Sequence, residues 1–154
     1  MKNLNLFKKV VFVAVAIVGV ALVTSSESFA QSAPKQEKLL NGLKVLLWSD
    51  SKADKVTVRL RIHSGAAFDP QGKEGAMQLL ADNIFPNEAA REFFAEDLGG
   101  SLEIVTGYDY IQINASSKAG DEYLTMLETL STAVANPTID KETTGKLKTA
   151  LLAK

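Results

Sequence analysis

The chain contains no cysteine and one histidine, His63. The absence of cysteine excludes disulfide bonds, cysteine-ligated metal centres and a thiol nucleophile. It also excludes a lipid anchor of the lipoprotein type, which requires a cysteine after the signal segment. With one histidine and no cysteine, no zinc site built from these two ligand types can form within the chain. His63 falls on the polar side of a predicted strand, where we expect a surface residue.

An excess of either charge is also missing. The formal net charge is −1 over 154 residues, and basic residues are not interleaved with aromatic ones. Nucleic acid is therefore not an expected partner. Hydrophobic residues make up 46% of the chain and charged residues 23%. This balance is typical of one globular domain with a core, or of part of one.

Residues 1–30 have the pattern of a targeting segment. Lysines at positions 2, 8 and 9 precede an apolar run from Val10 to Val23, and Ser28-Phe29-Ala30 supplies small residues where a signal peptidase reads them. The run is shorter than the roughly 20 residues that a membrane-spanning helix needs, so we predict a signal peptide cleaved after Ala30. An uncleaved anchor is the alternative, and it would be the chain's attachment to a membrane. Either form predicts an exported protein of a bacterial periplasm or cell envelope.

Pairs of strands and helices alternate along the rest of the chain. Residues 31–38 are polar and contain a proline, which indicates a flexible lead-in. Val56–Ser64 alternates apolar and polar residues, as in a half-buried antiparallel strand. We expect it to form a hairpin with Leu43–Trp48 through the polar loop 49–55. The other predicted elements are helices at 75–85, 88–98, 121–135 and 140–154, and strands at 101–106 and 110–116.

The helix predicted at 75–85 has an apolar stripe. Pro86 ends this helix, and four of its residues recur at helical spacing, which predicts that it packs on the core. These residues are Met77, Leu80, Ala81 and Ile84. The stripe expected in the helix at 121–135 consists of Tyr123, Leu127, Leu130 and Val134.

Several short motifs resemble those of the pitrilysin/insulinase family of zinc metallopeptidases. Leu40–Val45 is similar to the family's L-x-N-G-L-x-V, and Gly65–Gly75 resembles its G-S-x-x-E-P-x-G-x-x-G loop, with Asp69-Pro70 where Glu-Pro is usual. Leu98-Gly99-Gly100 and Asn136–Asp140 resemble two later family motifs. The resemblance covers 39–154 and implies an α+β, metallohydrolase-type domain, an antiparallel-rich sheet packed with helices in two layers. It also implies an amino-terminal domain that is truncated at its carboxyl end, since family members continue past the fourth helix.

This chain resembles the family's zinc motif only at the first and last positions of the motif. The family pattern G-x-A-H-x-x-E-H-x-x-F aligns with Gly75–Phe85, and Gly75 and Phe85 match it. Gln78 stands at the first histidine, Ala81 at the general base and Asp82 at the second histidine. In the family, the two histidines on one helical face hold zinc, and the glutamate takes a proton from the zinc-bound water. The substitutions imply that this chain has no catalytic residue, no metal site and no cofactor.

The resemblance implies a non-catalytic subunit that pairs, as a heterodimer, with an active family member whose zinc motif is intact. Peptides are the expected substrates of such a pair. A stand-alone exported peptide-binding module and a truncated gene product without its own activity are the alternatives. An enzyme with different chemistry would have to use carboxylates, which are more typical of turns and solvated surfaces. The carboxylates considered are Asp50, Asp54, Asp69, Asp82 and Asp109. Glu142 lies too early in the fourth helix to match the family's third zinc ligand.

Overall fold

The computed structural model describes residues 33–153, so the predicted signal peptide lies outside the described residues. These residues form five strands and four helices, with a single 3₁₀ turn at Ala66–Phe68. The strands are β1 (Lys35–Lys38), β2 (Lys44–Leu47), β3 (Lys55–Ile62), β4 (Ser101–Thr106) and β5 (Ile111–Lys118). The helices are α1 (Ala76–Ile84), α2 (Glu88–Glu96), α3 (Glu122–Ala135) and α4 (Lys141–Leu152).

A three-stranded antiparallel sheet organises residues 51–153. Its strand order is β3-β5-β4, so β5 is central. Ile113 of β5 lies opposite Leu60 of β3 and Ile104 of β4. Because side chains alternate between the two faces of a strand, this register gathers apolar side chains on one face. The other face carries polar side chains such as Arg59 and Asn114, which hydrogen-bond to each other.

Helices cover the apolar face of this sheet. α2 packs against β4 and β5, α3 packs against β5, and α1 contacts β4 and α4. The buried core residues are Ile84, Phe85, Phe94, Leu98, Leu102, Ile113, Ala115, Met126 and Leu130. The expected α+β class, with an antiparallel sheet packed with helices, is confirmed. In residues 33–153, no helix has both the length and the apolarity needed to span a membrane.

Residues 33–50 contain a separate two-stranded sheet. β1 and β2 pair antiparallel, with Lys35 opposite Leu47 and Lys38 opposite Lys44. The sequence predicted a flexible lead-in at 31–38, and this is wrong for Lys35–Lys38, which form β1. All four β1 residues are exposed. The strand therefore depends on backbone hydrogen bonds rather than on an apolar pattern, which is why the polarity of the segment was misleading.

The hairpin predicted between Leu43–Trp48 and Val56–Ser64 is also wrong. β2 pairs with β1, and β3 pairs with β5. The alternation of Val56–Ser64 did identify a strand with one half-buried face, since Val56, Val58, Leu60 and Ile62 are half-buried. Alternation fixes which face of a strand is buried, but it carries no information about which strand lies beside it.

The helix boundaries agree with the predicted ones to within a few residues. The residues that each helix buries agree with the predicted apolar stripes only in part. Leu80 was expected to be buried in α1 but is exposed. In α3 the buried residues are Met126 and Leu130. Tyr123 and Leu127, which were expected in that stripe, lie on the exposed side. The apolar pattern of α3 is broad, and packing on β5 selects a slightly rotated face.

Candidate functional site

The amino-terminal end of α1 is held by a side chain from the preceding loop. Asp69 Oδ2 accepts a hydrogen bond from the Gly75 N–H at 2.7 Å, and Asp69 Oδ1 accepts one from the Met77 N–H at 2.8 Å. Gly75 occupies the cap position with φ +87°, a left-handed conformation that glycine adopts without steric cost. Asp69 therefore satisfies two of the amide groups that a helix leaves unpaired at its start.

The loop that carries Asp69 is fixed to the turn between β4 and β5. Ala66 N–H donates to the Gly107 carbonyl at 3.1 Å, and Ala67 N–H donates to the Tyr108 carbonyl at 2.8 Å. The two segments approach so closely that a Cβ on Gly65 would lie 2.5 Å from the Gly107 oxygen. This close approach requires glycine at position 65, and it sets the position of Asp69 relative to α1.

The carboxyl-terminal end of α1 is held by a buried polar contact and an aromatic contact. Asn83 is 3% exposed. Its Nδ2 donates to the Leu79 carbonyl at 2.7 Å, and its Oδ1 accepts from Thr144 Oγ1 of α4 at 2.9 Å. Phe85, directly after the helix, meets the ring of Phe94 edge-on at 6.2 Å between centroids. Sequence analysis missed Asn83, because an asparagine within a helix pattern is normally expected to face solvent.

Gln78, Ala81 and Asp82, which the sequence analysis aligned with the zinc motif, all lie on α1. Gln78 Nε2 donates to Asp82 Oδ1 at 2.8 Å, so these two side chains bind each other one turn apart. Ala81 is 0% exposed and belongs to the core. Gln78 and Asp82 are half-buried. The structure thus brings the two polar residues together, and it places the methyl group of Ala81 in the interior.

A cleft of ≈ 620 Å³ lies beside the first turns of α1. The loop 66–71 forms one of its walls, and the end of β4 forms another. Its lining residues are Ala66, Asp69, Pro70, Gln71, Glu74, Gly75, Gln78, Thr106, Gly107 and Tyr108. Thr106 Oγ1 is buried and has no hydrogen-bond partner among the described residues. The carboxylates of Asp69 and Glu74, the amides of Gln71 and Gln78 and the phenol of Tyr108 supply the polar groups of this cleft.

The other candidate residues do not assemble a metal centre. His63 Nδ1 lies 3.9 Å from Asp109 Oδ2, and the His63 side chain is 78% exposed. Asp50 and Asp54 lie in the segment between β2 and β3. Glu142 pairs with Lys146 at 2.7 Å on the surface of α4. Within residues 33–153, no three histidine, aspartate or glutamate side chains are grouped so that they could hold a metal ion.

Comparison with solved structures identifies the class of fold. The chain is similar to the crystal structure of pitrilysin, with a TM-score of 0.70 and 22% sequence identity over 80% of this chain. The match covers 14% of the pitrilysin chain, so this chain spans a small part of that protein's length. At this identity the match shows the fold alone.

The family assignment follows from a family model. Residues 44–153 match the model described as insulinase, peptidase family M16. The chain therefore belongs to the insulinase family. Comparison with the curated proteins finds no match.

Proposed function

We propose that this chain is a non-catalytic member of the insulinase family that pairs with an active zinc peptidase in the degradation or processing of peptides. The observation that carries the proposal is the composition and packing of α1. This helix is held in place at both ends, while the positions that resemble the family's zinc motif are occupied by Gln78, Ala81 and Asp82.

The side chains at these positions are poorly suited to zinc. Zinc sites in proteins use cysteine, histidine and carboxylate ligands, and catalytic sites have three of them. The amide of Gln78 is a neutral group, and Ala81 has no donor atom. The carboxylate of Asp82 is the one preferred ligand type, and one of its oxygens already accepts the Gln78 amide. One carboxylate is too few ligands for a stable site.

The burial of Ala81 supports the same proposal. A general base must reach the water whose proton it takes, directly or through one further water. Ala81 is 0% exposed, so its side chain faces the interior rather than the cleft. A carboxylate at this position would lose its hydration unless a buried partner compensated it. The methyl group at position 81 is consistent with a packing role for this turn of α1.

A partner surface is suggested by α3. Tyr123, Leu124 and Leu127 are 36%, 55% and 42% exposed. Residues three and four apart are neighbours on a helix surface, so these side chains form a continuous apolar strip. An apolar strip of this kind is a common feature of surfaces that bind another protein.

Mixing experiments test the proposal. The full chain is assayed with a fluorogenic peptide alone, with a chelator, and with a purified insulinase-family peptidase whose H-x-x-E-H motif is intact. We expect no hydrolysis by the chain alone and a faster, chelator-sensitive hydrolysis by the mixture than by the peptidase alone. Leu124→Lys combined with Leu127→Lys is the matched control. It replaces exposed side chains and should keep the fold, yet it should remove the stimulation.

Two results would contradict the proposal. Chelator-sensitive hydrolysis by the purified chain alone would contradict the non-catalytic role. Equal rates for the peptidase with and without the chain would contradict the pairing, and peptide binding by the unpaired chain would then favour a stand-alone binding module. An observation that favours this second function is that β4, beside the cleft, pairs only with β5 among the described strands. Its free edge could add an extended peptide through main-chain hydrogen bonds.

A further inference from the structure

The turn between β1 and β2 presents an asparagine followed by a glycine. Both Asn41 and Gly42 are exposed. Gly42 has φ +88°, and no heavy atom lies within 4 Å of the position that a Cβ would occupy. Glycine itself carries no side chain that would hinder attack by its own backbone nitrogen on the preceding residue.

This arrangement suits an intramolecular reaction of asparagine. The Gly42 nitrogen attacks Cγ of Asn41, and a new N–Cγ bond forms. The bond between Cγ and Nδ2 breaks, and the side-chain nitrogen leaves as ammonia with the proton that the Gly42 nitrogen gives up. Water then opens the resulting five-membered imide at one of its two carbonyl groups. The products are aspartate or isoaspartate at position 41, and water is the only co-reactant.

We infer that Asn41 is a site of spontaneous deamidation whose rate is controlled by opening of the β1–β2 hairpin. In the folded turn, the Gly42 N–H donates to the Leu39 carbonyl at 2.9 Å. Asn41 Oδ1 accepts from the Leu43 N–H at 3.1 Å. These bonds fix both the attacking nitrogen and the side chain under attack. The Gly42 nitrogen must leave the Leu39 carbonyl before it can lose its proton and approach Cγ.

The small size of the β1–β2 hairpin favours such opening. Its two strands have four residues each, and a two-stranded hairpin without further support is marginally stable. The reaction therefore depends on a local opening and does not require residues 51–153 to unfold.

The two products affect the hairpin differently. Aspartate at position 41 keeps the length of the backbone, and its carboxylate can accept the Leu43 N–H as the amide did. Isoaspartate adds one methylene group to the backbone within the turn. This insertion shifts Gly42 relative to Leu39 and disrupts the register that places Lys38 opposite Lys44. Accumulated isoaspartate would thus mark chains whose hairpin can no longer close.

The full chain itself provides the test. It is incubated in mildly alkaline buffer, with and without denaturing urea, and conversion at each asparagine is followed by peptide mapping with enzymatic labelling of isoaspartate. Asn83, Asn87 and Asn114 are internal controls, because bulkier residues follow them: Ile84, Glu88 and Ala115. We expect conversion at Asn41 to exceed that at every control. Urea should accelerate it roughly two- to tenfold, which is the factor that corresponds to loss of one hydrogen bond.

Every outcome of the incubation experiment either supports or overturns the inference. Conversion of Asn41 ahead of the controls, with acceleration in urea, supports it. Absence of conversion at Asn41, or conversion no faster than at the controls, overturns the assignment of the site. Equal rates in native and urea-treated chains overturn control by the hairpin. An Asn41→Asp variant should have the circular dichroism of the unreacted chain, and a loss of strand signal would overturn the predicted difference between the products.

Discussion

Two sets of contacts made by α1 differ in the elements that they join: the hydrogen bonds at its two ends, and the hydrogen bond between Gln78 and Asp82. The contacts that hold the helix reach other elements, from Asp69 in the preceding loop and from Thr144 on α4 to Asn83. The contact at the zinc-motif positions joins Gln78 and Asp82, and it closes within the helix itself. The comparison teaches that the position of α1 depends on the first set of contacts and is nearly independent of the hydrogen bond between Gln78 and Asp82. Ala81, which is buried in the core, packs with the rest of the fold and does not share this independence.

The largest effect is expected where the end of α1 meets the core. Phe94 of α2 is 0% exposed and contacts the rings of Phe85 and Phe93. Phe94→Ala should lower the free energy of unfolding by about 3–5 kcal/mol, because it removes a buried ring and leaves a cavity. Urea unfolding followed by circular dichroism measures the loss. Leu124→Ala, on the exposed side of α3, is the control, and a similar loss for both variants would show that Phe94 is not a core anchor.

The next largest effect is expected at Asn83. Asn83→Ala leaves the Thr144 hydroxyl without its partner and should cost about 1–3 kcal/mol. Thr144→Val removes the other side of the same hydrogen bond. A double-mutant cycle with the two variants should therefore show losses that do not add. Strictly additive losses would mean that the contact between α1 and α4 contributes no coupling.

A smaller effect is expected at the start of α1. Asp69→Ala removes the acceptor of two amide hydrogen bonds and should cost about 1–2 kcal/mol, as loss of a helix cap does. Asp82→Ala is the matched control, because it removes a carboxylate whose hydrogen bond stays within the helix. The comparison between the two sets of residues fails if both variants lower the urea midpoint equally.

A weak dependence on pH is expected in α4, which carries Thr144. Asp140 caps this helix, and the Thr143 side-chain and backbone hydrogen bonds hold the pKa of Asp140 below its ordinary value of 3.8. A lowered folded-state pKa adds stability that is present above the unfolded-state pKa and is lost as the pH falls through the folded-state value. Helical circular dichroism should thus decrease in strong acid through this group. Asp140→Asn should remove that part of the pH dependence, and an unchanged pH profile in the variant would contradict the capping role.

The smallest effect is expected at the zinc-motif positions. Gln78→Ala removes one hydrogen bond between residues four apart on a half-buried helix face. The expected cost is about 0.2–0.5 kcal/mol. A loss as large as that of Asp69→Ala, measured in the same urea titration, would show that the motif positions also hold the helix.

Local patterns in the sequence were sufficient to predict most of the helices and strands. Alternation identified β3 as a strand with one half-buried face, and helical spacing with Pro86 located α1. β1 was missed, because Lys35–Lys38 are polar and exposed and give no apolar signal. Pairing of β3 with β5 was missed, because it joins residues far apart in the chain.

At the candidate site, the alignment of Gln78, Ala81 and Asp82 with the zinc motif stays a prediction, and the contacts around these residues were predicted only in part. Ala81 was expected in the buried stripe and is buried, whereas Leu80 is exposed. Asp69 lies in a motif that the sequence shows, but its hydrogen bonds to the start of α1 have no sequence signature, and neither has the contact of Asn83 with Thr144. Each depends on how a loop or a second helix packs against α1. The spacing of apolar residues along one segment carries no information about such tertiary contacts.

Thermal unfolding with and without zinc tests most directly whether α1 functions as a packing helix without metal. A ligand that binds only the folded state raises its stability by about 2.7 kcal/mol at a hundredfold excess over Kd. We predict that the full chain, purified without chelator, retains no stoichiometric zinc and that added zinc leaves its Tm unchanged. Retention of one zinc per chain, with a zinc-dependent rise in Tm that Gln78→Ala combined with Asp82→Ala abolishes, would contradict the account.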